Sequence, residues 1–211
     1  MPAVRWHLSS LLSRNVFHLL SFAMAVVAAG PAYAQVPAPV APAVTAADIR
    51  FMQDMIGHHQ QAVEMTALVA SRTRRPQIRM LAERIAVSQT DELSLMRQWL
   101  KVRGGVADSA MAHRMPGTST HVGHDMSGMP EMPGMLSRRD MVALRAARGA
   151  RFDQLFLSGM IRHHEGALTM VERLLATSGA AQESSINRFV TDVDADQRAE
   201  ILRMRLMQRR E

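Results

Sequence analysis

Apolar residues recur at helical spacing in four long stretches of the chain. In the first stretch, residues 46–71, they return every three or four positions, as they do on one face of an α-helix. Similar patterns occupy residues 76–102, 150–177 and 181–209, and a shorter one occupies residues 137–148. Thr45 and Asp48 can cap the first helix, Ser137 can cap the short one, and Pro76 suits a first helical turn. The pattern predicts an all-α protein.

Two of the predicted helices carry the same motif. Phe51–Met65 (FMQDMIGHHQQAVEM) and Phe156–Met170 (FLSGMIRHHEGALTM) lie 105 residues apart and share seven identical residues, among them Met-Ile-x-His-His. The helices that follow also correspond, through Gln89-x-x-Glu92-x-x-x-Met96 and Gln197-x-x-Glu200-x-x-x-Met204. Neither helical hairpin, residues 45–103 or 137–210, can bury its apolar face alone. Docking the two predicts a four-helix bundle with a long crossover.

The N-terminus is typical of a secretory signal peptide. Arg5 and Arg14 lie near an apolar run at residues 19–29, and Ala32-Tyr33-Ala34 fits a cleavage site. Residues 1–34 are therefore predicted to be removed after Ala34, and residues 35–44 to form a Pro/Ala-rich linker. The apolar run is short for a membrane span, so an uncleaved anchor is the less favoured alternative. We expect a periplasmic or secreted protein with no stable membrane insertion after cleavage.

The composition limits the kinds of metal ligand that the protein can provide. The chain has 18 Met, no Cys and 4% aromatic residues, and the predicted cleavage lowers the net charge from +6 to +4. The basic residues are spread along amphipathic helices, which indicates a solvated surface and gives no reason to expect nucleic-acid binding. Without cysteine the protein has neither disulfides nor thiolate ligands, so thioethers and imidazoles are its soft metal ligands.

Each motif copy places a thioether one helical turn before an imidazole. Met55 and His59 form such a pair, and Met160 and His164 repeat it. His58 and Met65 lie together beside that face, as do His163 and Met170 in the second copy. Adjacent histidines point about 100° apart on a helix, so we expect one of each pair inside the bundle and the other at its edge.

These ligand types favour copper. Thioether sulfur suits Cu(I), and imidazole suits both Cu(I) and Cu(II), with silver as a chemical mimic. Zinc sites in proteins use Cys, His and carboxylates, and di-iron bundles need Glu-x-x-His spacing, which is missing from these helices. We therefore predict bound copper, with Cu(I) favoured over Cu(II).

Residues 104–136 have no helical period and are predicted to be an irregular Met/His-rich linker. The spacing of their thioethers and imidazoles would allow several of them to wrap one soft ion, which predicts an additional or transient site at Met126, Met129, Met132, Met135, His121 and His124.

Other polar and apolar positions have two interpretations. Gln89, Glu92, Gln197 and Glu200 either hydrogen-bond the motif histidines from the facing helix or lie on solvated faces. A methionine stripe at helical spacing is usually core packing, which we expect for Met80, Met96, Met204 and Met207. Trp99 and Phe152 are also predicted to be core residues.

Over most of its length after the signal peptide, the chain resembles the CopM-like family, domain-of-unknown-function family 305. The matching elements are Phe51-Met52-x-x-Met55-Ile56-x-His58-His59-x-x-Ala62-x-x-Met65, Met132-Pro-Gly-Met135, Phe152-Asp153-x-x-Phe156-Leu157 and Met160-Ile161-x-His163-His164-x-Gly166-Ala167-x-x-Met170. The resemblance implies an exported, ferritin-like four-helix bundle that binds copper in some members. By position, it implies a ligand set of Met55, His58, His59, Met65, Met160, His163, His164 and Met170.

The leading hypothesis for function is an exported copper-binding protein, a chaperone or buffer in copper tolerance or trafficking. Its expected partners are the metal ion and periplasmic proteins that export or accept copper. One alternative is a structural or interaction bundle without a metal role. A copper-dependent oxidase is less favoured, because the sequence has no cupredoxin Cys-His set, nucleophile motif or paired catalytic carboxylates. We expect a protein that is not an enzyme.

Overall fold

The computed structural model describes residues 42–103 and 132–209. This part of the chain is all-helical and contains no strand, which confirms the predicted fold class. Its helices are α1 (Ala46–Arg72), α2 (Pro76–Val102), α3 (Arg138–Ala146), α4 (Gly149–Leu175) and α5 (Ser184–Gln208). The predicted signal peptide, most of the Pro/Ala linker and residues 104–131 lie outside the described residues. No described helix is both long enough and apolar enough to cross a membrane.

The helix ends follow the local signals in the sequence. The predicted capping box of α1 is present, because the Thr45 hydroxyl accepts a hydrogen bond from the Asp48 N–H. The predicted Ser137 cap of α3 is present too and forms a capping box with Asp140, whose N–H donates to the Ser137 hydroxyl. The fourth long helix begins three residues later than predicted, at Ser184. Left-handed backbone at Gly179 and Ala181 prevents a regular helix from running through the preceding turn. The Ala181 N–H donates to the Asp48 carboxylate at 2.7 Å, which ties this turn to the start of α1.

The core consists of two apolar clusters at opposite ends of the bundle. The first joins the N-terminal halves of α1 and α5 to the C-terminal halves of α2 and α4, and the second joins the remaining halves. Helices α1 and α4 are therefore antiparallel, and their motif copies cross near the middle. Methionines of both copies enter each cluster: Met52, Met55, Met96 and Met170 in the first, and Met65, Met141, Met160 and Met204 in the second.

The packing predictions hold with one exception. Trp99, Phe152, Met96 and Met204 are buried, and Met207 packs at the edge of the second cluster. The prediction for Met80 was wrong, because 67% of this residue is exposed to solvent. Its buried neighbours, such as Ile78 and Leu81, follow the inward stripe of α2, and Met80 lies on the opposite face.

Candidate metal centre

The four motif histidines form a buried layer between the two apolar clusters. All four side chains are completely excluded from solvent. At the centre, the rings of His58 and His163 lie close together, with centroids 3.8 Å apart and their planes tilted by 38°. The rings within each adjacent pair lie farther apart, at 6.5 Å for His58 and His59 and 6.2 Å for His163 and His164. The adjacent histidines thus diverge as predicted, but the expectation that one of each pair lies at the bundle edge was wrong.

Oxygen acceptors fix the proton on three of the four rings. The Nε2–H of His59 donates to Glu92, that of His164 donates to Glu200 at 2.7 Å, and that of His58 donates to the Pro133 carbonyl at 3.0 Å. Carboxylates and carbonyls only accept, so Nε2 carries the hydrogen in each case. Glu92 and Glu200 are themselves buried, which confirms the first of the two interpretations given for these glutamates.

The opposite ring nitrogens have no hydrogen-bond partner. The Nδ1 atoms of His58, His59 and His164 are buried without a partner, as are both ring nitrogens of His163. Gln89 and Gln197, which shortly precede Glu92 and Glu200 in the sequence, are also buried. The side-chain Oε1 atom of each glutamine has no hydrogen-bond partner. Burying polar atoms without partners is costly, so each such atom calls for an explanation. A histidine whose N–H is held by an oxygen and whose other nitrogen is free has the arrangement that metal-ligating histidines adopt.

The motif methionines lie above and below this layer. Met55, Met65 and Met160 are fully buried, and Met170 is 8% exposed. Met55 and Met170 belong to the first cluster and Met65 and Met160 to the second, so each side of the layer receives thioethers from both hairpins. The donor set around the histidines therefore fits a soft ion such as Cu(I). Within the described ranges, no three His, Asp or Glu side chains converge as a ready-made site for a metal ion of any kind, so the methionine sulfurs would have to contribute to a site at this layer.

Residues 132–136, which we call the strap, cover the α1–α4 side of the layer. The Gln61 amide is hydrogen-bonded to both the N–H and the carbonyl of Leu136, at 2.7 and 3.0 Å. Gly134 has a φ of +76° and lies against the backbone of α4 at Gly166. The strap thus seals His58 from solvent, which is why the predicted edge histidine is buried.

The sequence prediction of an irregular linker missed this packing. Gly134 in the left-handed region and Gly166 in the second motif copy were the available signals. The two described linker methionines, Met132 and Met135, lie half-buried in the strap. Met132 shares a surface cavity with Met170, one of the motif methionines. The remaining predicted linker ligands, Met126, Met129, His121 and His124, lie outside the described residues.

Comparison with known proteins gives the family. The model of the domain of unknown function DUF305 matches residues 48–208. The chain belongs to the DUF305 family. No curated protein matches this DUF305 chain.

Three solved structures share the DUF305 fold. A DUF305 fragment from Deinococcus radiodurans is 27% identical, with a TM-score of 0.64, and the match covers 81% of this chain and 100% of the fragment. A DUF305 protein from Streptomyces coelicolor is 29% identical, with a TM-score of 0.61 and coverage of 75% and 89%. CopM in its Cu(II)-bound form is 27% identical, with a TM-score of 0.57 and coverage of 77% and 96%.

Burial keeps the two central rings of this DUF305 protein neutral. It lowers the pKa of His58 to about 3, and the neighbouring His59 adds to the effect. Burial also holds the pKa of His163 well below its usual value, with a further contribution from His58. At neutral pH both rings therefore keep a lone pair for a metal ion.

The lowered pKa values predict that the apo-protein is destabilised by acid. Below about pH 6.5 the unfolded rings of His58 and His163 take up protons, whereas the folded His58 ring does not until about pH 3. The stability contributed by these neutral rings is complete above pH 6.5 and is lost as the pH falls toward 3. We expect the loss to approach about 1.4 kcal/mol per pH unit for each ring. Urea unfolding between about pH 7 and pH 5 measures the slope.

The control is a variant with glutamine at both positions, which removes the two titrations but keeps polar side chains. Its free energy of unfolding should depend less steeply on pH over the same window. An unchanged slope would show that other groups cause the acid sensitivity.

Proposed function

We propose that this protein is an exported copper-binding protein that holds Cu(I), and secondarily Cu(II), as a chaperone or buffer. The main support for the proposal is the hydrogen bonding of the four motif histidines. Three of them donate Nε2–H to an oxygen acceptor and retain a free Nδ1, and His163 has two unpartnered nitrogens. This arrangement orients imidazole lone pairs within a dry bundle and supports a metal-binding role.

The thioethers favour copper over other ions. Sulfur from Met55, Met65, Met160 and Met170 is available on both sides of the histidine layer, and the chain has no cysteine. Methionine and neutral histidine together select Cu(I), and histidine also accepts Cu(II). The Cu(II)-bound form of CopM, at 27% identity, gives independent support for copper in this fold. We further propose that transfer partners are periplasmic proteins that export or accept copper.

Export is part of the same proposal. The N-terminal sequence has the order of a signal peptide, and the Streptomyces coelicolor relative is a candidate secreted protein. The structural-bundle alternative predicts that the buried histidines contribute to packing alone. The oxidase alternative predicts repeated turnover of Cu(I) in air. Neither alternative has a described feature that favours it over copper binding.

Replacing His163 separates metal binding from packing. Because neither ring nitrogen of His163 has a partner at good hydrogen-bonding geometry and the backbone of His58 contributes only weakly, His163→Phe should leave the apo-protein about as stable as the wild type. If His163 binds copper, the affinity for Cu(I) should fall by about 10-fold or more, as it does when a metal site loses an ordered group. Competition with a chromogenic Cu(I) chelator measures the affinity, and urea unfolding measures the stability.

Met141→Leu is the matched control, because Met141 is a buried methionine outside both motif copies. It should leave the Cu(I) affinity unchanged. The proposed function would be contradicted if two variants bound Cu(I) as tightly as the wild type. These are the His163→Phe variant and a variant that lacks all four motif histidines.

A further inference from the structure

A cavity of about 390 Å³ opens between α1, α2 and α5, on the wall of the histidine layer. Its lining is mainly apolar and includes Met52, Trp99, Phe189 and Val193, with Glu92 and Asp192 as carboxylates. Glu92 is also the residue that accepts the Nε2–H of His59. The Glu92 side chain therefore separates the cavity from His59, which is fully buried.

A buried metal site needs a route for its ion. All four motif histidines are excluded from solvent, and the strap covers them on the α1–α4 side. On the α2–α5 side, Asp192 is exposed at the cavity, and Met52 is buried in its wall with 1% exposure. An entering cation would thus meet a carboxylate, then a thioether, and then Glu92 beside His59.

Negative charge is concentrated where α2 and α5 line the cavity. The pKa of Asp196 is raised by burial and by the carboxylates of Glu92, Glu200 and Asp192, and Arg203 partly offsets this rise. Glu92 of α2 and Asp192 of α5 line the cavity, so the two helices together give it an acidic face. Such a face raises the local concentration of cations. The one cation in the cavity lining is Arg188, against two carboxylates.

The corresponding end of the bundle differs mainly in charge. The motif correspondence places Leu157 where the first copy has Met52, and the second helices correspond at a separation of 108 residues, which places Arg84 at the position equivalent to Asp192 and Arg203 at that of Leu95. Met80 and Met207 occupy the positions equivalent to Arg188 and Trp99, so the other end does carry thioethers. The charges at the equivalent positions favour a cation at the cavity end.

We propose that this cavity is a port through which Cu(I) enters the histidine layer. The inference rests on the proposed function and adds a direction to it: Asp192 attracts the ion, Met52 passes it inward, and Glu92 brings it to His59. Met52 acts in transit, so its loss should slow capture of the ion and leave the final affinity unchanged.

The test compares capture rate with affinity. In the protein cleaved after Ala34, Trp99 in the cavity wall is the only tryptophan. Cu(I) supplied as its acetonitrile complex is mixed with apo-protein, and quenching of Trp99 fluorescence is followed by stopped flow. The double variant Met52→Leu/Asp192→Asn should be about 10-fold slower than the parent, because both the attraction and the transit ligand are lost. Its equilibrium affinity, measured by chelator competition, should stay within about 2-fold, because neither residue is a final ligand.

The control variant Met141→Leu/Asp91→Asn removes a buried thioether and an exposed aspartate outside the cavity, and it should keep the parent rate. A port variant as fast as the parent would overturn the proposal, as would a rate and an affinity that fall in step. If the parent protein binds no Cu(I) in the chelator competition, the proposed function itself fails. If the parent binds Cu(I) tightly but the port variant captures it at an unchanged rate, only the proposed entry route is contradicted.

Discussion

Gly166→Ala should destabilise the protein by about 3 kcal/mol and weaken its copper binding. A Cβ at this position would overlap the Pro133 carbonyl group and lie 2.7 Å from the Cα of Gly134. Both obstacles are backbone atoms, so no side-chain rotation relieves them, and the strap must move away from α4. His58 then loses the carbonyl that holds its Nε2–H. Urea unfolding and Cu(I) competition measure the two effects.

Gly159→Ala is the matched control on the same helix. Its added Cβ would meet the end of the Leu136 side chain at 3.2 Å, which can shift by a few tenths of an ångström. Because alanine also favours the helix, the net change should stay within about 1 kcal/mol. Equal effects of the two substitutions would show that the strap does not depend on the close contact between Gly134 and Gly166.

Glu200→Ala should cost about 3 kcal/mol and weaken copper binding by roughly 10- to 100-fold. Glu200 is 4% exposed and accepts the Nε2–H of His164 at 2.7 Å. Its removal leaves a buried donor without a partner and lets the ring rotate, so Nδ1 is no longer held in place. Glu200→Gln keeps a carbonyl acceptor and should recover most of the stability.

Glu165→Ala provides the comparison for this prediction. Glu165 forms an exposed ion pair with Arg205 at 2.6 Å, one residue from His164 in the chain. Exposed pairs contribute little, so the change should be less than about 1 kcal/mol, with unaltered copper affinity. If Glu200→Ala behaved like Glu165→Ala, Glu200 would have no positioning role.

The helices were predictable because their signals are local. Periodicity, the two capping boxes and Pro76 depend on residues within a few positions of one another, and the helix bounds agree within a few residues. The duplicated motif also predicted how the hairpins pack, because two equivalent apolar faces bury each other.

The candidate site was only partly predictable because its decisive contacts are distant in sequence. His58 is 75 residues from Pro133, and His164 is 36 residues from Glu200. Helical geometry predicts correctly that adjacent histidines diverge, but it cannot say that the strap crosses α4 at Gly166 and buries His58. The glutamates were left with two interpretations for the same reason, since only the fold places Glu92 and Glu200 against histidines.

We expect copper to bind at the buried histidine layer. Anomalous diffraction at the copper edge, from crystals of the protein loaded with Cu(I), locates the ion without assuming its ligands. We expect a peak between α1 and α4, at about 2.0 Å from an Nδ1 atom of the layer or from His163, with methionine sulfur completing the coordination. Peaks confined to surface residues, with none among His58, His59, His163 and His164, would contradict it.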